Sequence, residues 1–305
     1  MLTVLGEAVV DLLPTGQDGG FRAHPGGSPL NVAVALARLG EPTTLLARMS
    51  GSAFGRLLHA HARRNGVTVA GPANQPEPAS LAVVTLDSDG VAGYDFYLDG
   101  TADWQWRPAE LNVPASTTIL HTGSLACFRQ PGADEVSDLM TRLRAHTEIL
   151  LSFDPNIRPT VVGDLADARR RTTQLVSTAH VVKASGEDLQ VLYPDQPVTV
   201  VARHWATLGP SLVVVTLGGD GAYAVHAGQE ARRTAPSIDV VDTVGAGDAF
   251  TAGLLSALLA GGRGTPATIR DLDREEVAAV IDHAIHVASI TCTRAGADTP
   301  RHDDL

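Results

Sequence analysis

Short apolar runs alternate along the chain with longer stretches of helical pattern. Leu2–Val10 reads as a buried strand. Asn31–Leu39 is built of helix formers and stops at Gly40, a residue suited to a helix C-terminus. Thr43–Ala47 reads as the next strand and Phe54–Asn65 as a helix stopped by Gly66, giving the βαβ rhythm of a layered sheet. The rhythm breaks at Leu81–Asp87 and Gly93–Leu98, two β-rich runs joined by Ser88-Asp89-Gly90. That is hairpin-turn chemistry, and the hairpin is expected to form a lid or an edge extension. Alternation resumes with strands at Thr118–Thr122, Ile149–Phe153, His180–Lys183, Leu212–Thr216 and Ala222–His226. Helices are expected at Asp134–Ala145, Leu165–Ser177, Thr199–Leu208, Asp248–Ala260 and Glu275–Thr293. No repeat or low-complexity linker divides the chain. The expectation is one α/β domain over residues 1–305 carrying a small β lid, formed by roughly 12–24 and 81–107.

Composition narrows the function classes. The 34 acidic and 23 basic residues give a formal charge of −11, with no basic stripe, which argues against nucleic acid and against an anionic membrane surface. An anionic nucleotide is still admissible, because backbone N–H groups at helix starts supply local positive potential. The two cysteines, Cys127 and Cys292, are far apart and read as small buried hydrophobes in a reduced compartment. The start, Met-Leu-Thr-Val-Leu-Gly-Glu, lacks the pattern of a signal peptide, and the apolar run around Ala252–Gly262 is too short to span a bilayer. A cytoplasmic protein is therefore expected.

Two segments carry chemistry. In Asp242-Thr-Val-Gly-Ala-Gly-Asp248-Ala-Phe250, the small residues Gly245, Ala246 and Gly247 open an apolar helix, where unpaired N–H groups can approach an anion closely. Asp248 there can serve as a general base for a hydroxyl, or simply cap the helix. In Pro25-Gly26-Gly27-Ser28-Pro29-Leu30-Asn31, paired glycines allow close approach of a ligand and Asn31 at a helix start can bond hydroxyls; a turn with an Asn cap is the other reading.

Together, Gly26–Gly40 and Asp242–Phe250 resemble the N- and C-terminal signatures of the ribokinase (PfkB) family of carbohydrate kinases, in the right order and separation. The resemblance implies a three-layer α/β/α fold with a mostly parallel central sheet and a β lid. It also implies ATP-dependent phosphorylation of a sugar, with Mg²⁺ accompanying the nucleotide. It implies that Asp248 is the base and that Gly245, Ala246 and Gly247 form the anion hole. Asp11, Gly27 and Asn31 correspond to sugar contacts. Thr216-Leu-Gly218-Gly-Asp-Gly221 resembles the nucleotide-holding turn, although a bare hairpin turn fits the same residues. Where many members carry Asn-x-x-Glu, this chain has Ser185-Gly-Glu-Asp188, so Asp188 corresponds to an acidic group reaching magnesium through water. Lys183 is placed to approach the phosphates. Asp242, Val244, Thr291, Arg294 and Gly296 occupy positions that bind potassium in some members, while Pro300 replaces a hydroxyl ligand.

Two stretches resemble the fructokinases of that family. One is Asp154-Pro-Asn156-Ile-Arg158, shared with 2-keto-3-deoxygluconate kinases, in which Asn156 and Arg158 face the substrate; a turn held by Asp154 is the alternative. The other is the aromatic-rich run from Phe96 to Trp106, with Phe96 and Asp103 as sugar contacts; lid packing or a dimer contact explains the aromatics equally well. With Arg158 as one candidate cation and no Arg or Lys from Phe96 to Trp106, a neutral ketohexose is expected over a keto-acid sugar or a sugar phosphate, and a nucleoside stays open because the signatures are shared across the family. A non-catalytic sugar or nucleotide sensor is the competing class, and it would need neither Asp248 nor the small-residue helix start.

Overall fold

The computed structural model describes residues 1–16, 19–86 and 92–305. In chain order, the first elements are β1 (Leu2–Leu5), β2 (Val9–Pro14), β3 (Phe21–Gly26), α1 (Ser28–Arg38), β4 (Thr43–Leu46), α2 (Ala53–Arg64) and β5 (Thr68–Ala70). They are followed by β6 (Leu81–Leu86), β7 (Ala92–Tyr97), β8 (Ile119–Gly123), α3 (Gly132–His146), β9 (Leu150–Asp154), α4 (Pro159–Val162), α5 (Leu165–Thr178), β10 (Val181–Ser185) and α6 (Gly186–Leu192). The last are α7 (Val198–Ala206), β11 (Leu212–Thr216), β12 (Ala222–His226), β13 (Gln229–Arg233), α8 (Ala246–Ala260) and α9 (Arg274–Cys292).

Nine strands form the central sheet, in the order β13-β12-β11-β10-β9-β8-β1-β4-β5. From β11 to β5 every neighbour is parallel; only β12 and β13 run antiparallel, at one edge. The parallel strands are apolar throughout, as burial on both faces demands. One face packs a core that includes Val4, Ile119, Leu212 and Val214 against α1, α2, α8 and α9. The other packs Leu5, Leu120, Phe153 and Val213 against α3, α5, α6 and α7. This is the expected three-layer α/β/α arrangement. Helix α8 is apolar on nearly every side because it is enclosed by α1 and α9. Among the described residues, no helix is long and apolar enough to cross a membrane.

The expected strand Leu2–Val10 is instead two strands in two sheets. β1 ends at Leu5, the chain bends through Gly6–Ala8, and β2 enters a separate four-stranded sheet of order β3-β2-β6-β7. The apolar run is continuous through both, so periodicity alone could not show the break. Buried Glu7, whose carboxylate accepts the amide of Ala126, occupies the bend. The hairpin partners β6 and β7 pair antiparallel as expected; the Ser88-Asp89-Gly90 turn lies outside the described residues. Two short or charged edge strands, β5 and β13, carry too little apolar pattern to be foreseen.

Helix α9 owes its start to a reciprocal cap. Asp273 accepts from the amides of Glu275 and Glu276, both at 2.8 Å, and Glu276 accepts from the amide of Asp273 at 2.9 Å. Asp273→Ala should lower stability by about 1 kcal/mol, read as an earlier midpoint in urea unfolding with an unchanged slope.

Candidate active site

Strand order reverses between β1 and β8: the chain passes from β1 outward through β4 on one side and from β8 through β9 and β10 on the other. A crevice at the carboxyl ends of parallel strands is where such sheets bind ligands. The segments that follow β1, β8, β9, β10 and β11 gather there, together with the first turns of α1 and α8.

The start of α8 is left-handed at Gly245, with φ 77°, and a Cβ on that residue would lie 2.5 Å from the Cβ of Ala297. Only glycine fits. Among the described residues, the amides of Gly247 and Asp248 have no acceptor, so two N–H groups at the positive end of a fifteen-residue helix are available to an anion. Lys183 Nζ stands 3.1 Å from where a Cβ on Gly247 would be, adding a cation to the same spot.

Asp248 does not cap its own helix. Its Oδ1 accepts from Ser28 Oγ at 2.6 Å and its Oδ2 from Asn31 Nδ2 at 2.9 Å, both from the first turn of α1. Burial raises its pKa, while Ser28, Asn31 and the charge of Lys183 oppose that rise. Asp11, at the end of the first buried residues of β2, lies within the fields of both Asp248 and Arg158. Burial lifts it to about 6. Among the described residues no side chain or amide donates to its carboxylate. Asp11 packs over Gly26, where a Cβ would come within 2.1 Å of its Oδ2, which explains why glycine stands there. The site thus holds two carboxylates, one braced and one free to accept hydroxyl donors.

Behind them lies a buried ion pair. Lys183 Nζ bonds Asp154 Oδ2 at 2.8 Å, with both side chains at most 5% exposed. Asp154 Oδ1 also accepts the amide of Asn156, so the turn reading of Asp154-Pro-Asn156 is structurally real. Asn156 takes a left-handed φ of 39° and donates to Ser124 Oγ at 3.1 Å; Ser124 is itself left-handed and bonded to Glu7, which burial raises to about 7. Two non-glycine residues held this way on facing strand ends mark strain at a ligand crevice. Arg158 is exposed beside them, its guanidinium bonded among the described residues only to the carbonyl of Ile157.

Several expected contacts sit differently. Asp103 is 4% exposed, and its oxygens accept the amide of Ala8 at 3.0 Å and Ser80 Oγ at 2.6 Å. It fastens the β1–β2 bend rather than presenting a free carboxylate. Phe96 stacks on Tyr94 at 6.0 Å and packs against the cluster of Leu98, Trp104, Leu125 and Ala126, in keeping with the packing explanation of the aromatics. Asp188 closes a capping box with Ser185: its Oδ2 accepts the Ser185 amide and hydroxyl, and its Oδ1 accepts the amide of Ile157 at 2.7 Å. Three of its acceptor positions are therefore taken by the chain.

At the ends of β10 and β11, Thr216 pairs in register with Ser185, and the turn Gly218–Asp220 leads through Gly221 into antiparallel β12. The hairpin reading of that segment holds in the structure, and its mouth opens beside Ser185. Asp242 accepts from the amides of Val244 at 3.0 Å and Gly296 at 2.8 Å, which brings two of the potassium-position segments together. Thr291 is fully buried, and its hydroxyl bonds within α9 to Val287.

The pfkB family carbohydrate kinase model matches residues 1–304. A fructokinase of Klebsiella pneumoniae is 36% identical over 261 residues, covering 85% of this chain and 84% of its own. The fructokinase of Xylella fastidiosa with bound ATP superposes with a TM-score of 0.89 at 28% identity, over 97% of this chain and 93% of that one. A double mutant of the Vibrio cholerae fructokinase, bound to fructose, ADP and potassium, gives a TM-score of 0.84 at 28% identity over the same shares.

The chain belongs to the pfkB family of carbohydrate kinases. It is a sugar kinase with the ribokinase-like fold. In this kinase Ser28, Glu7, Ser124 and the pairing of Asp154 with Lys183 join the expected residues at the crevice. Ser28 was legible as a hydroxyl three residues before Asn31 on a helix start. The others depend on strand register, which no local pattern encodes.

Proposed function

We propose that this kinase transfers the γ-phosphoryl group of ATP to a primary hydroxyl of fructose. Asp248 is the base in this reading, Asp11, Gly27, Asn31, Asn156 and Arg158 hold the sugar, and the start of α8 with Lys183 receives the transferred phosphoryl group. The observation that carries it is the coincidence at one helix start of a braced carboxylate, two unpaired amides and a lysine. A base, an anion hole and a cation side by side are what phosphoryl transfer to an alcohol requires, and a sensor needs none of the three. The likeness to fructokinases supports fructose. So does charge balance: Arg158 lies within the field of Asp11, so the cation expected at the sugar already has a carboxylate countering it.

The nucleotide lies along Ser185, Thr216, Gly218 and Gly221. Among the described residues no group of three or more ligand-type side chains is preassembled for a metal. Mg²⁺ therefore fits as an ion carried on the phosphates, which neutralises their charge, with Asp188 limited to one outer contact through water. Asp242, Val244, Thr291 and Gly296 border a potassium position, with Pro300 unable to supply a side-chain ligand. The four-stranded sheet is the lid of a single domain spanning 1–305; its closure excludes water from the transfer. Exposed Phe21 and Tyr97 share the face of that sheet opposite Asp11 and offer a second copy a surface to pair on.

Coupled ADP release over fructose, 2-keto-3-deoxygluconate, ribose and adenosine tests the assignment. Fructose should give a kcat/KM at least about tenfold above the rest, the discrimination one well-placed polar contact supplies. A higher value for ketodeoxygluconate would overturn the sugar and keep the chemistry. No turnover with any sugar would overturn the reading altogether.

A further inference from the structure

The geometry points to Ser28 as a positioning residue for phosphoryl transfer: its hydroxyl fixes the orientation of Asp248 and keeps that carboxylate ready to accept a proton. This rests on the proposed kinase reading and adds to it a residue that motif spacing alone does not single out.

Ser28 is the first residue of α1, a position where a hydroxyl commonly serves its own helix. Here it does not. The N-cap is Gly27, and no side chain caps the helix. The Ser28 hydroxyl instead donates at 2.6 Å to Asp248, 220 residues further along the chain. A distance of that size is typical of an O–H donated to an ionised carboxylate, a stronger bond than one between neutral groups. Asn31 lies one turn on, on the same face of α1, and takes the other oxygen at 2.9 Å. Two anchors on two oxygens lock the plane of the carboxylate, whereas Asn31 alone would leave it free to rotate. The remaining lone pair of Oδ1 can then meet a substrate hydroxyl in one direction only.

The electrostatic surroundings make the second task necessary. Burial pushes Asp248 toward its neutral form, which cannot act as a base. Asp154 from β9 opposes its charge, and Asp11 from β2, itself raised by Asp248, adds a second negative group. Lys183 from β10 favours ionisation, and Ser28 and Asn31 from α1 act in the same direction. Of these helpers, Ser28 comes first in its effect on Asp248. Removing it shifts the balance toward the protonated acid.

Ser28→Ala is small and compatible with a helix start, so the fold should be kept. The sign of the effect follows from the bond. A donor that favours the charged form lowers the pKa, so its loss raises it. The acid limb of kcat/KM for fructose should move to higher pH by about one to two units. At pH 7, kcat should fall about tenfold, while the fructose KM changes less than about threefold. Ser28→Thr keeps the hydroxyl and should recover both the limb and most of kcat. An acid limb in Ser28→Ala that coincides with wild type would overturn the inference, as would a loss that threonine fails to repair. Infrared titration of the Asp248 carboxyl, taken as the difference between the protein and its Asp248→Asn variant, gives a readout that needs no turnover. If the wild type phosphorylates no sugar yet the Asp248 titration still moves upward in Ser28→Ala, the kinase reading fails and the coupling of Ser28 to Asp248 stands. If turnover is normal and the titration does not move, the coupling fails alone.

Discussion

Asp248→Asn should lower kcat for sugar phosphorylation by about a thousandfold, with sugar affinity measured by calorimetry staying within about tenfold of wild type. General-base catalysis by a positioned side chain is worth roughly 10² to 10⁴ in rate, and the surroundings of Asp248 place it in the upper half of that range. The carboxylate is braced on both oxygens by α1, so little of its advantage is lost to misorientation. It also sits in the first turn of α8, next to unpaired amides that would hold the phosphoryl group as the hydroxyl attacks. Asparagine preserves the size of the side chain and one acceptor oxygen. Asn31 can still bond that oxygen, and the Ser28 hydroxyl can turn to accept from the new amide. The variant should therefore fold, bind sugar through Asp11 and Asn31, and fail at proton removal. Retention of a tenth or more of wild-type kcat in the coupled assay would show that another group takes the proton. Undiminished sugar binding together with no phosphorylation in the wild type would favour the sensor reading instead.

What could be read in advance, and what could not, divides along the range of the interactions. Asp248 stood out because glycines, a helix start and an acid lie within a few consecutive positions. Whether it caps the helix or serves chemistry depended on α1, more than two hundred residues away, and only the fold shows its oxygens turned toward Ser28 and Asn31. Asp154 was legible as a turn residue and does hold that turn, yet its other oxygen pairs with Lys183 because β9 and β10 run side by side in register. Parallel register leaves no trace in either strand's own pattern, since both are uniformly apolar. Asp103 shows the same dependence on the fold. An acid among aromatics looked like a sugar contact, but the bend between β1 and β2 leaves the amide of Ala8 without a ladder partner, and Asp103 supplies the acceptor. That bend was hidden inside an unbroken apolar run. Asp188 was expected to reach magnesium through water, and its engagement with Ile157 became visible only once the β9 and β10 ends were adjacent.

The Asp154–Lys183 pair yields the largest expected effect on stability. Lys183→Met should destabilise the protein by about 3–5 kcal/mol at pH 7.5, because it leaves a buried carboxylate with no counter-charge. Asp154 is 2% exposed and shares its surroundings with Asp188 and Asp248, so the unpaired charge cannot relax into water and is repelled by its neighbours. Asp154→Asn combined with Lys183→Met removes both charges and keeps the acceptor for the Asn156 amide. Denaturant unfolding of the double variant should recover to within about 1–2 kcal/mol of wild type, as expected when a buried ion pair is replaced by neutral groups of similar size. The same double variant separates structure from chemistry. Folded but lacking the cation beside Gly247, it should lose at least about a hundredfold in kcat while still binding fructose, since the lysine acts on charge that gathers at the helix start during transfer. If Lys183→Met proved as stable as wild type, the pair would not be holding the sheet ends together. If the stable double variant kept its turnover, Lys183 would serve only the fold, and the amides of α8 would carry the phosphoryl group alone.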